Sequence, residues 1–202
     1  DRAFVETSPR VIGAISDIEF SPDGLNLAYV LNNGGKYKVV VRDLSSGDET
    51  IIYRGGATYE DQNPNFISPV IAWRDSANVA IASFKRGFTT LRLRSIDGTN
   101  QDKIFLRNIT QILSLDFNST GNNMVLSAIS NGKSDIYTLN TRGAGRRLTN
   151  DRFDYITPTF LNDSTIIYSS NFTSLPDSIN DKNLKMEDLP DIYNLYRLDV
   201  GD

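Results

Sequence analysis

The 202-residue sequence predicts an all-β chain of the β-propeller class, built from about four four-stranded blades. Three observations lead there. A strand–turn–strand unit recurs, each copy carries one aromatic at the same place, and the copies are spaced like blades. The aromatics are Phe20, Trp73, Phe117 and Phe160, which lie 53, 44 and 43 positions apart. A four-stranded propeller blade repeats about every 40–45 residues.

The elements of each copy follow in order. The aromatic closes a short apolar stretch: ISDIEF from Ile15, ISPVIAW from Ile67, ILSLDF from Ile112 and ITPTF from Ile156. A polar turn comes next, then a second apolar strand at 27–30, 79–83, 124–129 and 166–170. Runs such as NLAYV and NVAIAS are continuous more than alternating, as strands covered on both faces are. Third strands read KVVVRDLSSG, TLRLRSIDG, DIYTLNTRG and NLYRLDVG, ending at Gly47, Gly98, Gly143 and Gly201, where a tight turn favours positive φ. A fourth strand appears three times, as ETIIY, DKIFL and RRLTN. The expected blades are 11–56, 63–107, 109–150 and 152–202, in a single propeller domain or a fragment of one. A four-stranded meander cannot cover its own two faces, so each blade must stack on its neighbours. The fourth repeat stops after its third strand, and residues 3–6 are a candidate outer strand to close the ring beside it. A closed ring predicts a monomer, an open arc self-association. Because the sequence begins and ends within the repeat pattern, the expectation is a piece of a larger propeller.

Composition limits the functions available. A net charge of −4 and a pI near 4.9 argue against nucleic acid or anionic lipid as a partner. No cysteine means no disulfide, thiolate metal site or cysteine nucleophile. No histidine removes the usual general base, the Ser-His-Asp triad and the commonest zinc ligand. No apolar run approaches the length of about 20 residues that a membrane-spanning helix needs, so no membrane insertion is expected. No catalytic, metal or cofactor-binding residue is assigned, and no cofactor is expected.

Ser21-Pro22-Asp23-Gly24, following Phe20, resembles the signature of TolB-like propeller repeats. The stretch DIYTLNTRGAGRRLTNDRFDYITPTF is similar to that family too, through Ile136-Tyr137, the glycine turn, Arg147-Leu148-Thr149-Asn150 and Pro158. The resemblance runs from about Val11 to Asp202; only the first repeat keeps Ser-Pro-Asp-Gly intact. It implies a six-bladed type of propeller, a periplasmic or cell-envelope location, and a non-catalytic role in binding protein partners. Two alternatives stand beside that expectation: an accessory, substrate-gating propeller of a larger envelope peptidase or other hydrolase, and a carbohydrate-active propeller.

Asp23 and Gly24 suit a turn, in which Asp binds nearby amides and Gly takes positive φ. The glycine-rich stretches 32–36 and 142–145 precede no helix and read as hairpins, and Arg142, Arg146 and Arg147 as a solvated turn. Glu19 and Asp116 each precede a marker aromatic. Buried carboxylates need partners, so bonds between blades are expected there; the sharper alternative is a glycosidase pair. Asp177, Asp181, Glu187, Asp188 and Asp191 read as a solvated insertion, with calcium the alternative. The sequons at Asn108, Asn118, Asn162 and Asn171 suit surface turns. For contact with a protein partner, the connection 55–65 and the insertion 174–191 stand out, with Tyr59 and Phe66 as aromatic anchors.

Overall fold

A computed structural model describes residues 13–56, 67–85, 88–106, 108–172 and 192–201. The described residues form fifteen strands and no helix, in four antiparallel meanders. Blade 1 holds β1 (Ala14–Phe20), β2 (Asn26–Asn33), β3 (Lys36–Asp43) and β4 (Glu49–Gly56). Blade 2 holds β5 (Val70–Asp75), β6 (Asn78–Lys85), β7 (Phe88–Ser95) and β8 (Asn100–Leu106). Blade 3 holds β9 (Gln111–Phe117), β10 (Asn123–Ser130), β11 (Lys133–Asn140) and β12 (Gly145–Arg147). Blade 4 holds β13 (Tyr155–Asn162), β14 (Thr165–Ser170) and β15 (Asn194–Asp199), so its described part has three strands. Residues 3–6 lie outside the described residues.

The inner strands β1, β5, β9 and β13 stand side by side in that order, and apolar layers fill the spaces between sheets. Each blade has a front face toward the preceding blade and a back face toward the next. Ala28, Val30, Val39 and Val41 on the back of blade 1 pack against Ile71, Trp73, Val79 and Ile81 on the front of blade 2. Ala80, Ala82, Leu91 and Leu93 then meet Leu115, Phe117, Met124 and Leu126. Val125 and Ile136 meet Phe160, Ile166, Tyr168 and Leu198. Along β2, β6 and β10 the back-facing residues are small or β-branched (Ala28/Val30, Ala80/Ala82, Val125/Ser127). The front-facing residues of β6, β10 and β14 are bulky (Val79/Ile81, Met124/Leu126, Ile166/Tyr168). Successive residues of a strand face opposite sides, so a strand covered on both faces carries a continuous apolar run.

The marker aromatics all face forward. Trp73 and Phe117 are each 7 % exposed and Phe160 is half-buried, whereas Phe20 is 64 % exposed because no described sheet precedes it. Farther out, the junction of blades 1 and 2 is amphipathic: Arg92 and Arg94 lie 5.1 and 5.3 Å from the centre of the Tyr53 ring.

The stretch RRLTN enters the sheet for less than its length. β12 ends at Arg147, and the next two residues turn inward to serve β11. The Leu148 amide donates to the Ile136 carbonyl at 2.8 Å, and Thr149 Oγ1 accepts from the Ile136 amide at 3.0 Å. The fully buried Asp135 explains this departure: it is paired with the Arg147 guanidinium and accepts a hydrogen bond from Thr149 Oγ1 at 3.0 Å. A carboxylate removed from water requires such partners.

Truncating Leu126, which is fully buried between blades 2 and 3, should cost about 2–5 kcal/mol in urea unfolding. Truncating the exposed Phe20 to Ala should cost about 0.5 kcal/mol or less in the same assay.

Candidate functional site

The inner strands end together, and the space between their ends is a groove of about 700 Å³. Trp73, Leu115 and Phe117 form its apolar floor; Glu19, Arg74, Asp75 and Asp116 give it charge; Pro22, Ser119 and Pro158 stand at its edge.

Backbone irregularities place the polar groups. β1 carries a bulge between Ser16 and Ile18, with Asp17 at φ +50°, and β13 carries one between Ile156 and Thr159, with Thr157 at φ +49°. Non-glycine residues seldom adopt such angles, and bulges re-aim side chains. The released Asp17 carboxylate accepts the Ile71 amide of blade 2 at 2.5 Å. Asp116 does equivalent work two blades on: Oδ2 accepts the Phe160 amide at 2.8 Å and the Thr159 hydroxyl at 2.6 Å, while Oδ1 accepts the Phe117 amide at 2.8 Å. Trp73 Nε1 donates to the Glu19 carbonyl at 2.9 Å.

The turns around the groove are latched as well. Arg74 Nε donates to the Gly121 carbonyl at 3.0 Å. Gly121 sits at φ +66°, and a Cβ there would approach the Arg74 carbonyl oxygen to 2.7 Å, so only glycine fits. The Ser119 amide and hydroxyl both donate to Asp163 Oδ1, at 3.0 and 2.8 Å. In the first turn, Asp23 Oδ1 accepts from the Ser21 hydroxyl at 2.6 Å and the Leu25 amide at 3.0 Å, with Gly24 at φ +71°. These bonds to the charged form hold the Asp23 carboxyl below its ordinary range.

Glu19 differs from Asp116. Its carboxylate has no hydrogen-bond partner among the described residues and opens toward solvent. The groove walls nonetheless desolvate it, and the Asp17 and Asp116 carboxylates add repulsion, so its carboxyl is pushed up from 4.5. Burial also raises Asp17, against the pull of the Ile71 amide. Asp116 is thus committed to backbone and hydroxyl donors, whereas Glu19 is not.

Asp17 and Arg74 carry groove geometry that the sequence did not reveal; a bulge three residues before an aromatic has no composition signature. Asn118 and Asn171 are each 5 % exposed, not at open surface turns as their sequons suggested. Asn118 Oδ1 accepts the Asn123 amide, and Asn171 Oδ1 the Asp154 amide. Tyr59, Phe66, residues 57–65 of the first connection and the acidic insertion with Asp177, Asp181, Glu187, Asp188 and Asp191 lie outside the described residues. Among the described residues, no three acidic side chains are placed to hold a metal ion, and no helix is long and apolar enough to cross a membrane.

No protein-family model matches the chain, and neither does any curated protein sequence. Solved structures do. TolB from Acinetobacter baumannii superposes with a TM-score of 0.63 at 16 % identity, over 93 % of this chain and 41 % of that one. An uncharacterized protein from Listeria monocytogenes EGD-e gives 0.53 at 12 % identity, over 95 % of this chain and 52 % of that one. A prolyl endopeptidase gives 0.53 at 14 % identity, over 78 % of this chain and 25 % of the peptidase. The chain thus has a TolB-like propeller-repeat fold and spans about half or less of the length of these structures. Fold alone does not assign function.

Replacing Asp116 by Asn puts a donor where three donors converge, and should cost about 1–3 kcal/mol in urea unfolding. Glu19 gives a pH signature. Its raised value in the fold means that its contribution is fully present below 4.5 and is lost as pH rises through the folded value. Glu19→Gln should therefore raise the melting temperature at neutral pH and leave it unchanged well below 4.5. A carboxyl NMR titration of the unmodified chain should place the Glu19 midpoint above 4.5.

Proposed function

We propose that this chain is a non-catalytic binding platform for a protein partner in a bacterial cell envelope, and that the groove at the inner-strand ends is where the partner is held. The observation that carries this reading is the groove itself: a concave surface between several blades, with an apolar floor and charges of both signs. Concave sites in which polar groups converge over an apolar floor are the default places for recognition, and here polar and charged side chains such as Glu19, Arg74, Asp75, Ser76 and Asp116 share the lining with Trp73, Leu115 and Phe117. Latches between successive turns hold the surface in advance, so little ordering is needed on binding. Glu19, the unpartnered carboxylate, offers a contact to a cationic group of the partner. The envelope setting follows from resemblance to TolB-like repeats. Tyr59 and Phe66 remain candidate additional anchors.

A second reading has one observation in its favour, the fold shared with a prolyl endopeptidase of which the chain spans a quarter. There the groove would face another domain of the same polypeptide.

Site-specific photo-crosslinking in the native cell separates the outcomes. A crosslinker at Ser76, in the groove lining, should give one dominant protein adduct. The same group at Asp102, exposed on β8, should not, and Glu19→Lys should remove the Ser76 adduct. An adduct within the same polypeptide would instead support the second reading. Equal labelling from both positions would overturn the groove as a binding surface.

A further inference from the structure

We propose that the outer part of the junction between blades 1 and 2 binds a small phosphate, either the free ion or the ester of a small molecule, and that Arg92, Arg94 and Lys103 hold it. None of these residues lines the groove, and the inference goes beyond the function proposed above.

The register brings the cations together. Arg92 and Arg94 lie two apart on β7, paired with the front-facing Ile81 and Val79 of β6, so both point from blade 2 toward blade 1. Lys103 of β8 is the direct cross-strand partner of Arg92 and shares that face. Like charges set directly opposite in a sheet destabilise it. The chain carries a net charge of −4, yet none of these cations forms an ion pair among the described residues. Across the junction blade 1 packs Val39, Val41, Ile52, Tyr37 and Tyr53, none of which is an acid. Asp102, beside Lys103 in sequence, lies in the irregular part of β8, exposed and without an ion pair among the described residues.

The donors are held in place with bonds left to make. Arg92 Nη1 donates to Ser83 Oγ at 3.0 Å and to Thr90 Oγ1 at 2.6 Å, and both hydroxyl residues are buried. One corner of the guanidinium is thereby anchored, while its Nε and Nη2 donate to no described residue. Arg94 Nε is buried and has no hydrogen-bond partner. A buried donor left unpaired is costly. The Tyr53 ring lies 5.1 and 5.3 Å from the two guanidinium carbons, and Lys103 Nζ lies 4.2 Å from the centre of the Phe105 ring. Such rings offset part of the charge, and the hydrogen-bond donors still call for an oxyanion. A phosphate carries about −1.5 to −2 at pH 7 and three acceptor oxygens, more than a carboxylate offers, and guanidinium groups match its geometry. A cluster this small fits one phosphate group, whereas a nucleic acid is read by a longer basic stripe.

The test follows the arginine Nε–H signals by NMR as inorganic phosphate is titrated into the unmodified chain at constant ionic strength. The Arg92 and Arg94 signals should shift to saturation, and acetate should bind about tenfold more weakly or worse. Lys103 is exposed, so Lys103→Gln should keep the melting temperature and weaken phosphate binding about tenfold. Lys103→Arg should restore most of it. Arg94→Gln should also weaken binding; it removes the contact with Tyr53 as well, so Lys103→Gln decides the matter if Arg94→Gln melts early. Glucose 6-phosphate separates the sources: tighter binding than inorganic phosphate supports a small phosphate ester, weaker binding the free ion. Shifts that follow ionic strength alone, or acetate binding as tightly as phosphate, would overturn the proposal. So would an unchanged phosphate affinity in Lys103→Gln.

Discussion

Everything in this molecule depends on covering both faces of a four-stranded sheet. A single blade buries nothing by itself, since each face needs another sheet laid on it. Burying one large aliphatic side chain contributes about 1.5–3 kcal/mol, and each junction between blades buries several. In β6 and β10 the larger residue of each neighbouring pair faces forward (Val79/Ala80, Ile81/Ala82, Met124/Val125, Leu126/Ser127). The need for cover also explains which polar groups the interior tolerates. Asp135 lies at zero exposure because Arg147, the last residue of the edge strand, and Thr149, just beyond it, satisfy the carboxylate. Asp17 and Asp116 are accepted near the axis because each collects an amide from the adjoining inner strand.

The groove is a by-product of the same stacking, refined by local strain. Inner strands that stand side by side leave a concave space where they end; of the two bulged residues at positive φ, Thr157 lines that space and Asp17 ties β1 to β5 through the Ile71 amide. Such backbone costs energy and persists where the surroundings over-determine it. Here the surroundings are the latches, Arg74 to Gly121 and Ser119 to Asp163, which tie one blade's turn to the next. The resulting surface is built on strand ends and fastened turns, so its shape is set before any partner arrives.

Much of this was legible in the sequence, and for a definite reason. Periodicity survives divergence: aromatics, apolar pairs and closing glycines each recur because every blade solves the same packing problem. What the sequence hid was relational. Phe20 reads like Trp73 and Phe117, and only the lack of a preceding described sheet makes it exposed. Glu19 and Asp116 look equivalent by position, yet one is unpartnered and the other fully engaged, because Asp17 takes the neighbouring blade's amide in the first repeat. Leu148-Thr149 reads as strand, and a buried carboxylate in the preceding strand, Asp135, bends it away. The Asp17–Ile71 and Asp116–Phe160 links join segments more than forty residues apart, where local pattern carries no information.

The repeated stacking of each back on the next front has a consequence for how such a chain changes length. Each junction uses one shared rule, so a blade copied in frame would find a suitable neighbour on either side. Lengthening by duplication, or shortening by loss of a unit, then requires no new interface, only that the order of faces be kept. Point substitutions face a stricter test: a large residue placed on a back face disturbs the one neighbour that packs on it. Whole units are thus the cheaper currency of variation in this architecture, and single residues in the junctions the dearer one.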